Sequence, residues 1–142
     1  MHSAPLSFFK MIKSRKNPPY KNGRPFYTAK QAGIYLIYRA GVLVYVGHSQ
    51  TNLYRTLYRH FQSWNDKTQQ RIIYSPTDAN IKVRVIYTPP SKAQKLERAL
   101  ILKYQPADNP NKYETYLFTR RDEDLTEEAE TEFTSDNVDL PF

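Results

Sequence analysis

No cysteine occurs among the 142 residues, which excludes a disulfide framework and any thiolate metal site. No apolar run approaches the length of a membrane span. The first residues lack the continuous hydrophobic segment of a secretory signal, so a cytoplasmic, membrane-free protein is the expectation. No internal repeat is present. The length is that of one domain, enough for a single sizeable core. Acidic residues are the most telling scarcity. Residues 1–113 contain only four, Asp66, Asp78, Glu97 and Asp108, against 19 Lys and Arg. The other ten acids lie in 114–142, beside only Arg120 and Arg121. The body is therefore near +15 and the remainder near −8. A body so basic repels itself and suits a polyanion, of which nucleic acid is the commonest.

Against that background the stretch Gly33 to Gly47, GIYLIYRAGVLVYVG, reads as two apolar strands and a tight turn. Arg39-Ala40-Gly41 fits a three-residue loop ending in the left-handed conformation that glycine reaches easily. That loop pairs Tyr38 with Val42 and sets Tyr35 directly opposite Tyr45, with both phenols on one face. A two-residue turn would separate them. The other face, Ile34, Leu36, Tyr38, Val42, Val44 and Val46, is the expected core. Tyrosine is a good strand former, so the pair by itself is structural.

Upstream, residues 1–32 carry a short apolar cluster and then a basic stretch interrupted by Pro18, Pro19, Gly23 and Pro25. They read either as an arm tracking a phosphate backbone or as a solvated leader. Downstream, Leu53, Leu57, Phe61 and Trp64 recur at helical spacing, with Thr51 or Asn52 as cap. Arg55 and Arg59 fall one turn apart on a flank of that helix, a pair of guanidiniums suited to phosphate or a solvated basic face. Ile81, Val83, Val85 and Tyr87 alternate with Lys82 and Arg84 as a third strand with one buried face. Ser91 and Gln94 form a capping-box pattern for a helix through KAQKLERALILKY, stopped by Pro106.

Glu97 lies on or beside the apolar stripe of that helix, between Ala93 and Ile101. A carboxylate there needs a partner. Magnesium, which takes one or two protein carboxylates and completes its shell with water and phosphate oxygens, is one; a surface pair with Arg98 or Lys103 is the other. Tyr113, Tyr116, Leu117 and Phe118 close the domain. From 120 onward the acidic composition reads as a disordered tail.

Together these pieces resemble the GIY-YIG nuclease family: Gly33-Ile34-Tyr35, Tyr45-Val46-Gly47, an arginine helix, and Glu97 followed by Leu100, Ile101, Pro106 and Asn109. The similarity spans roughly Gly33 to Asn109. It implies an α+β domain over 33–119, a small three-stranded antiparallel sheet flanked by helices, with metal-dependent hydrolysis of DNA phosphodiester bonds. Tyr35 would be the general base or water-orienting group, and Tyr45 would position water or phosphate. Glu97 would hold one Mg2+ (or Mn2+), an arginine would neutralise the phosphoryl oxygens, and Asn109 would orient its neighbours. A phenol, with a pKa near 10, needs cationic neighbours to act as a base at neutral pH, and this body supplies them.

Two departures from the family pattern stand out. His48 replaces a lysine common after the second motif and could relay a proton from either tyrosine. Counting from Gly47 makes Arg55 the catalytic arginine, whereas aligning the helix end leaves Thr56 at that position, so Arg59 stays beside Arg55 as a candidate. His60, Lys67 and Lys103 are candidate nucleic-acid contacts. The last residues, Asp136 to Phe142, resemble the acidic Pro-Phe tip of single-stranded-DNA-binding proteins. Such a tip could dock on a protein partner, fold back over the basic cleft, or serve solubility. The alternatives to a nuclease are a catalytically silent nucleic-acid-binding module and a partner of single-stranded-DNA machinery acting through the tail.

Overall fold

The computed structural model describes residues 31–61, 72–110 and 113–135. Strands β1 (Gly33–Arg39), β2 (Val42–Ser49) and β3 (Ile81–Tyr87) form one antiparallel sheet in the order β2-β1-β3. Helix α1 (Leu53–Tyr58), continued by a 3₁₀ turn at Arg59–Phe61, lies on one face. Helices α2 (Pro90–Tyr104) and α3 (Arg120–Ser135) lie on the other. This is the expected α+β sheet flanked by helices.

Both faces of the sheet are core. Ile34, Tyr35, Leu36 and Ile37 of central strand β1 are all buried. Tyr35 and Ile37 pack with Val44, Val83 and Val85 against Leu53, Leu57, Phe61 and Tyr74. Ile34, Leu36, Val46 and Ile86 pack against Leu96, Leu100, Ile101 and Ala129. A central strand covered on both sides reads as a continuous apolar run, which GIYLIY is. The expectation of a single buried face therefore fails for β1 and for β3, where Arg84 is buried on the α2 side with its guanidinium over the Tyr38 ring.

The hairpin turn is not the expected three-residue loop Arg39-Ala40-Gly41. Arg39 pairs with Val42, so the loop is the two-residue Ala40-Gly41, with φ of 49° and 81°. Two positive φ values in succession give the twist that matches a hairpin. The register then shifts: Tyr38 pairs with Leu43, but Ile37 pairs with Tyr45 and Tyr35 with Gly47. The extra residue on β2 restores parity, so Tyr45 shares the Tyr35 face diagonally rather than directly opposite. The same shift turns Val44 to the α1 side and Leu43 to the α2 side, and Val42 is exposed.

The helix ends follow local chemistry. Asn52 caps α1, its side chain accepting from the Arg55 amide at 3.1 Å. Helix α2 begins two residues earlier than the Ser91 cap pattern suggests. Its N-cap is Pro89, without a side-chain bond, and Pro90 supplies the pre-set φ of a first helical residue. It ends at Gln105, left-handed at φ 48°, before Pro106.

The acidic segment is helical over Arg120–Ser135, against the expected disorder from 120; residues 136–142 lie outside the described residues. A reciprocal cap starts the helix. Asp122 Oδ2 accepts from the Thr119 amide at 2.9 Å, and Thr119 Oγ1 accepts from the Asp122 amide at 3.2 Å. Three ion pairs then dock α3 on α2: Arg98 with Asp122 at 3.3 Å, Lys92 with Glu128 at 2.5 Å and Lys103 with Glu130 at 2.7 Å. The Tyr104 hydroxyl also donates to Glu130. Ala129 completes the second core. Tyr113 packs on that core, whereas Tyr116, expected to help close the domain, is exposed.

Burial raises the phenols of Tyr38, Tyr74 and Tyr87 above their ordinary range, and a hydrogen bond to Asp108 adds to the effect at Tyr74. A raised folded-state value means the neutral phenols stabilise the fold fully below about pH 10, and this contribution is lost as pH climbs above it. The urea midpoint should be level between pH 7 and 9 and fall above 10, with a shallower fall in Tyr74→Phe. A midpoint that held through pH 11 would contradict this.

Candidate functional site

Tyr35 reaches its place because β2 carries no side chain beneath it. A Cβ on Gly47 would lie inside the Tyr35 ring and hydroxyl, and one on Gly33 would strike the Ile86 carbonyl of β3. The two motif glycines thus serve two close approaches, one by a phenol and one by a strand. The Tyr35 and Tyr45 rings lie 6.1 Å apart and 16° from parallel. Tyr35 is only 2% exposed, whereas Tyr45 is half-buried.

Between them sits His60, on the 3₁₀ turn after α1 and buried. Its ring centroid is 4.6 Å from that of Tyr45 and 5.5 Å from that of Tyr35. Nδ1 lies 2.8 Å from the Ile72 carbonyl, which only accepts, so Nδ1 carries the proton. In the neutral ring Nε2 is then the acceptor, and the Tyr35 hydroxyl donates to it at 2.9 Å. His60, expected as a nucleic-acid contact, is instead an internal partner of Tyr35. The sequence signal was helical spacing: position 60 lies three residues beyond Leu57 and seven beyond Leu53, on the apolar stripe.

Tyr74 and Asp108 extend the cluster and were not anticipated. The Tyr74 amide donates to the His60 carbonyl, and its hydroxyl donates to Asp108 Oδ2 at 2.8 Å. The Arg39 guanidinium lies 3.7 Å from the same oxygen and over the Tyr74 ring. Asp108 in turn donates its amide to the Val44 carbonyl on the free edge of β2.

Asn109 continues along that edge. Its Oδ1 accepts from the Val46 amide and its Nδ2 donates to the Val46 carbonyl, both at 2.9 Å. One carboxamide thus stands in for a fourth strand and fixes the backbone between Tyr45 and Gly47. Asn109→Ala strands both buried groups, and a loss of about 2 kcal/mol in urea unfolding is expected. Asn109→Asp, which when ionised cannot donate to the Val46 carbonyl, should not restore it.

Glu97 and His48 form a second group. Glu97 Oε2 lies 3.0 Å from His48 Nδ1, and both side chains are partly exposed. Arg98 and Lys103, the expected surface partners of Glu97, are held by Asp122 and Glu130. Lys103 is thereby engaged by two contacts to Glu130, at 2.7 and 3.0 Å, because the acidic helix packs over it. His48 pairs with Ile34 across the sheet and so leaves β2 on the α2 side, while Gly47 meets Tyr35 on the α1 side. The tyrosine pair and the Glu97–His48 pair therefore emerge on opposite faces of an edge strand, at neighbouring residues.

Arg55 on α1 and Arg59 at the start of the following 3₁₀ turn are exposed, on the tyrosine side. Among the described residues neither guanidinium has an ion-pair or ring partner. Thr56, between them, bonds its hydroxyl to the Asn52 carbonyl. Lys67 lies outside the described residues. Among the described residues no cluster of three or more His, Cys, Asp or Glu forms a cage for a metal ion. Glu97 is instead a single carboxylate donor near the surface, a set that suits a hard cation completing its shell with water and phosphate oxygens. Among the described residues, no helix is long and apolar enough to cross a membrane.

No curated protein matches the chain. The GIY-YIG catalytic domain matches residues 31–114, more than half of the chain, and this span contains the hairpin, α1, β3, α2, His60, Glu97 and Asn109. The protein therefore belongs to the GIY-YIG family of nucleases.

Proposed function

We propose that this protein is a divalent-metal-dependent endonuclease that hydrolyses DNA phosphodiester bonds. The observation that carries the reading is the proton path at Tyr35: a buried phenol donating to a histidine whose other nitrogen is fixed on a carbonyl. As a water attacks phosphorus, its proton passes to the Tyr35 oxygen while the Tyr35 proton passes to His60 Nε2. The resulting imidazolium keeps its Nδ1–H on the Ile72 carbonyl. A base acting on one bound water needs only its oxygen accessible, and burial keeps bulk water from competing.

Tyr45, half-buried beside His60, orients the water or a phosphate oxygen. Arg55 or Arg59 balances charge growing on the phosphoryl oxygens, since both lie on the tyrosine side without an ion-pair partner among the described residues. Glu97, oriented by His48, would hold Mg2+ or Mn2+, which when bound polarises the phosphate and stabilises the departing oxygen. The phosphate would then sit across the β2 edge at Gly47-His48, where the two groups emerge at neighbouring residues. The near +15 charge of residues 1–113 supports a polyanionic substrate.

The test is a panel of single-stranded, duplex, flapped and branched DNA with magnesium or manganese and with EDTA. Metal-dependent product on at least one substrate is expected. No product on any of them would overturn the proposal.

A further inference from the structure

A cavity of about 400 Å³ opens at the end of the sheet, lined by Gln31, Gln50, Thr51, Tyr87, Pro89 and Pro90 among others. Its described lining carries no charged side chain, although the domain around it is rich in cations. A phosphate is therefore a poor occupant. Two carboxamides each present a donor and an acceptor, and Thr51 and Thr88 add hydroxyls. A tyrosine ring and two prolines supply flat apolar faces. Hydrogen-bonding edges between flat faces are what a nucleobase taken out of its stack requires. The volume admits a base with part of its sugar.

The position fits as well. Gly33 pairs with Ser49 on one side and Tyr87 on the other, so the cavity adjoins the strand ends that carry the Gly47-His48 step. Along α2, Glu97 lies seven residues beyond Pro90, about 10 Å away. A single nucleotide spans that distance. Gln50 is held only loosely, its amide donating to the Pro90 carbonyl at 3.4 Å, and can turn its carboxamide toward a ligand.

We infer that this cavity seats one unstacked nucleobase of the substrate, beside the phosphate at the β2 edge. The inference rests on the proposed action on nucleic acid, and its test needs no cleavage. The full-length protein in EDTA is titrated by fluorescence anisotropy with a labelled DNA tetranucleotide and with an abasic tetramer of equal charge. The base-bearing tetramer should bind about tenfold more tightly, the scale of one base stacked on an aromatic ring. Gln50→Ala and Tyr87→Leu should each reduce that preference while leaving the affinity for the abasic tetramer unchanged. Equal binding of the two tetramers overturns the inference. So does a preference that survives undiminished in both variants, and Gln50→Ala, a loop change, keeps this readable if Tyr87→Leu does not fold. A protein that shows the preference but cleaves no DNA would retain the seat and lose the nuclease reading.

Discussion

Glu97→Gln should lower DNA cleavage about 10³-fold while leaving the fold unchanged, because it removes one charge without removing volume. The glutamine can still accept from His48, and the exchanged pair is near the surface, so urea stability should move by no more than about 0.5 kcal/mol. The manganese concentration needed for residual cleavage should rise at least about tenfold, as expected when one direct ligand loses its charge. If Glu97 only orients His48, cleavage should fall modestly with an unchanged metal requirement. Metal titration of the two proteins separates these outcomes.

Gly47→Ala should be nearly as damaging, for a different reason. The added methyl occupies the space of the Tyr35 ring, so the ring must move away from His60 or the strand must bend. Overpacking of this kind costs about 2 kcal/mol, and displacing the phenol from its histidine should reduce cleavage about 10²-fold or more. Gly41→Ala is the control. A methyl there meets nothing within 4 Å, but φ of 81° makes it strained, so it should cost about 1 kcal/mol and leave cleavage intact. Equal activity of Gly47→Ala and wild type would show that the Tyr35–His60 bond is dispensable.

The hairpin shows how far sequence reasoning reached and where it stopped. Alternation and the Gly-Ile-Tyr and Tyr-Val-Gly ends located both strands and placed the two tyrosines on one face. The route was different, because a bulge costs one residue and leaves no compositional mark; it is set by how Val44 and Leu43 pack on opposite cores. The arrangement of His48 and Glu97 on the other side of β2 follows from the same register and was not legible without it.

The acidic helix illustrates a different limit. Taken alone, 120–135 has too much charge of one sign to fold. In place, Lys92, Arg98 and Lys103 of α2 supply the opposite sign, and α3 buries Ala129 and Thr126. The local cue was present in Thr119-x-x-Asp122, a capping box at the point where composition changes. The charge contrast that suggested a detached tail is what docks the helix. His60 was misplaced for a related reason: a histidine next to arginines reads as a surface contact until helical spacing is given more weight than composition.

The central claim is that groups on opposite faces of β2 act on one phosphate across its edge. Single-turnover cleavage of one DNA substrate by wild type, Tyr35→Phe, Glu97→Gln and the double variant tests it most directly. One shared centre predicts that the double variant is no more than a few-fold slower than the slower single variant, as in catalytic groups that act as a unit. Multiplying losses, or two single variants that cleave as fast as wild type, would contradict it.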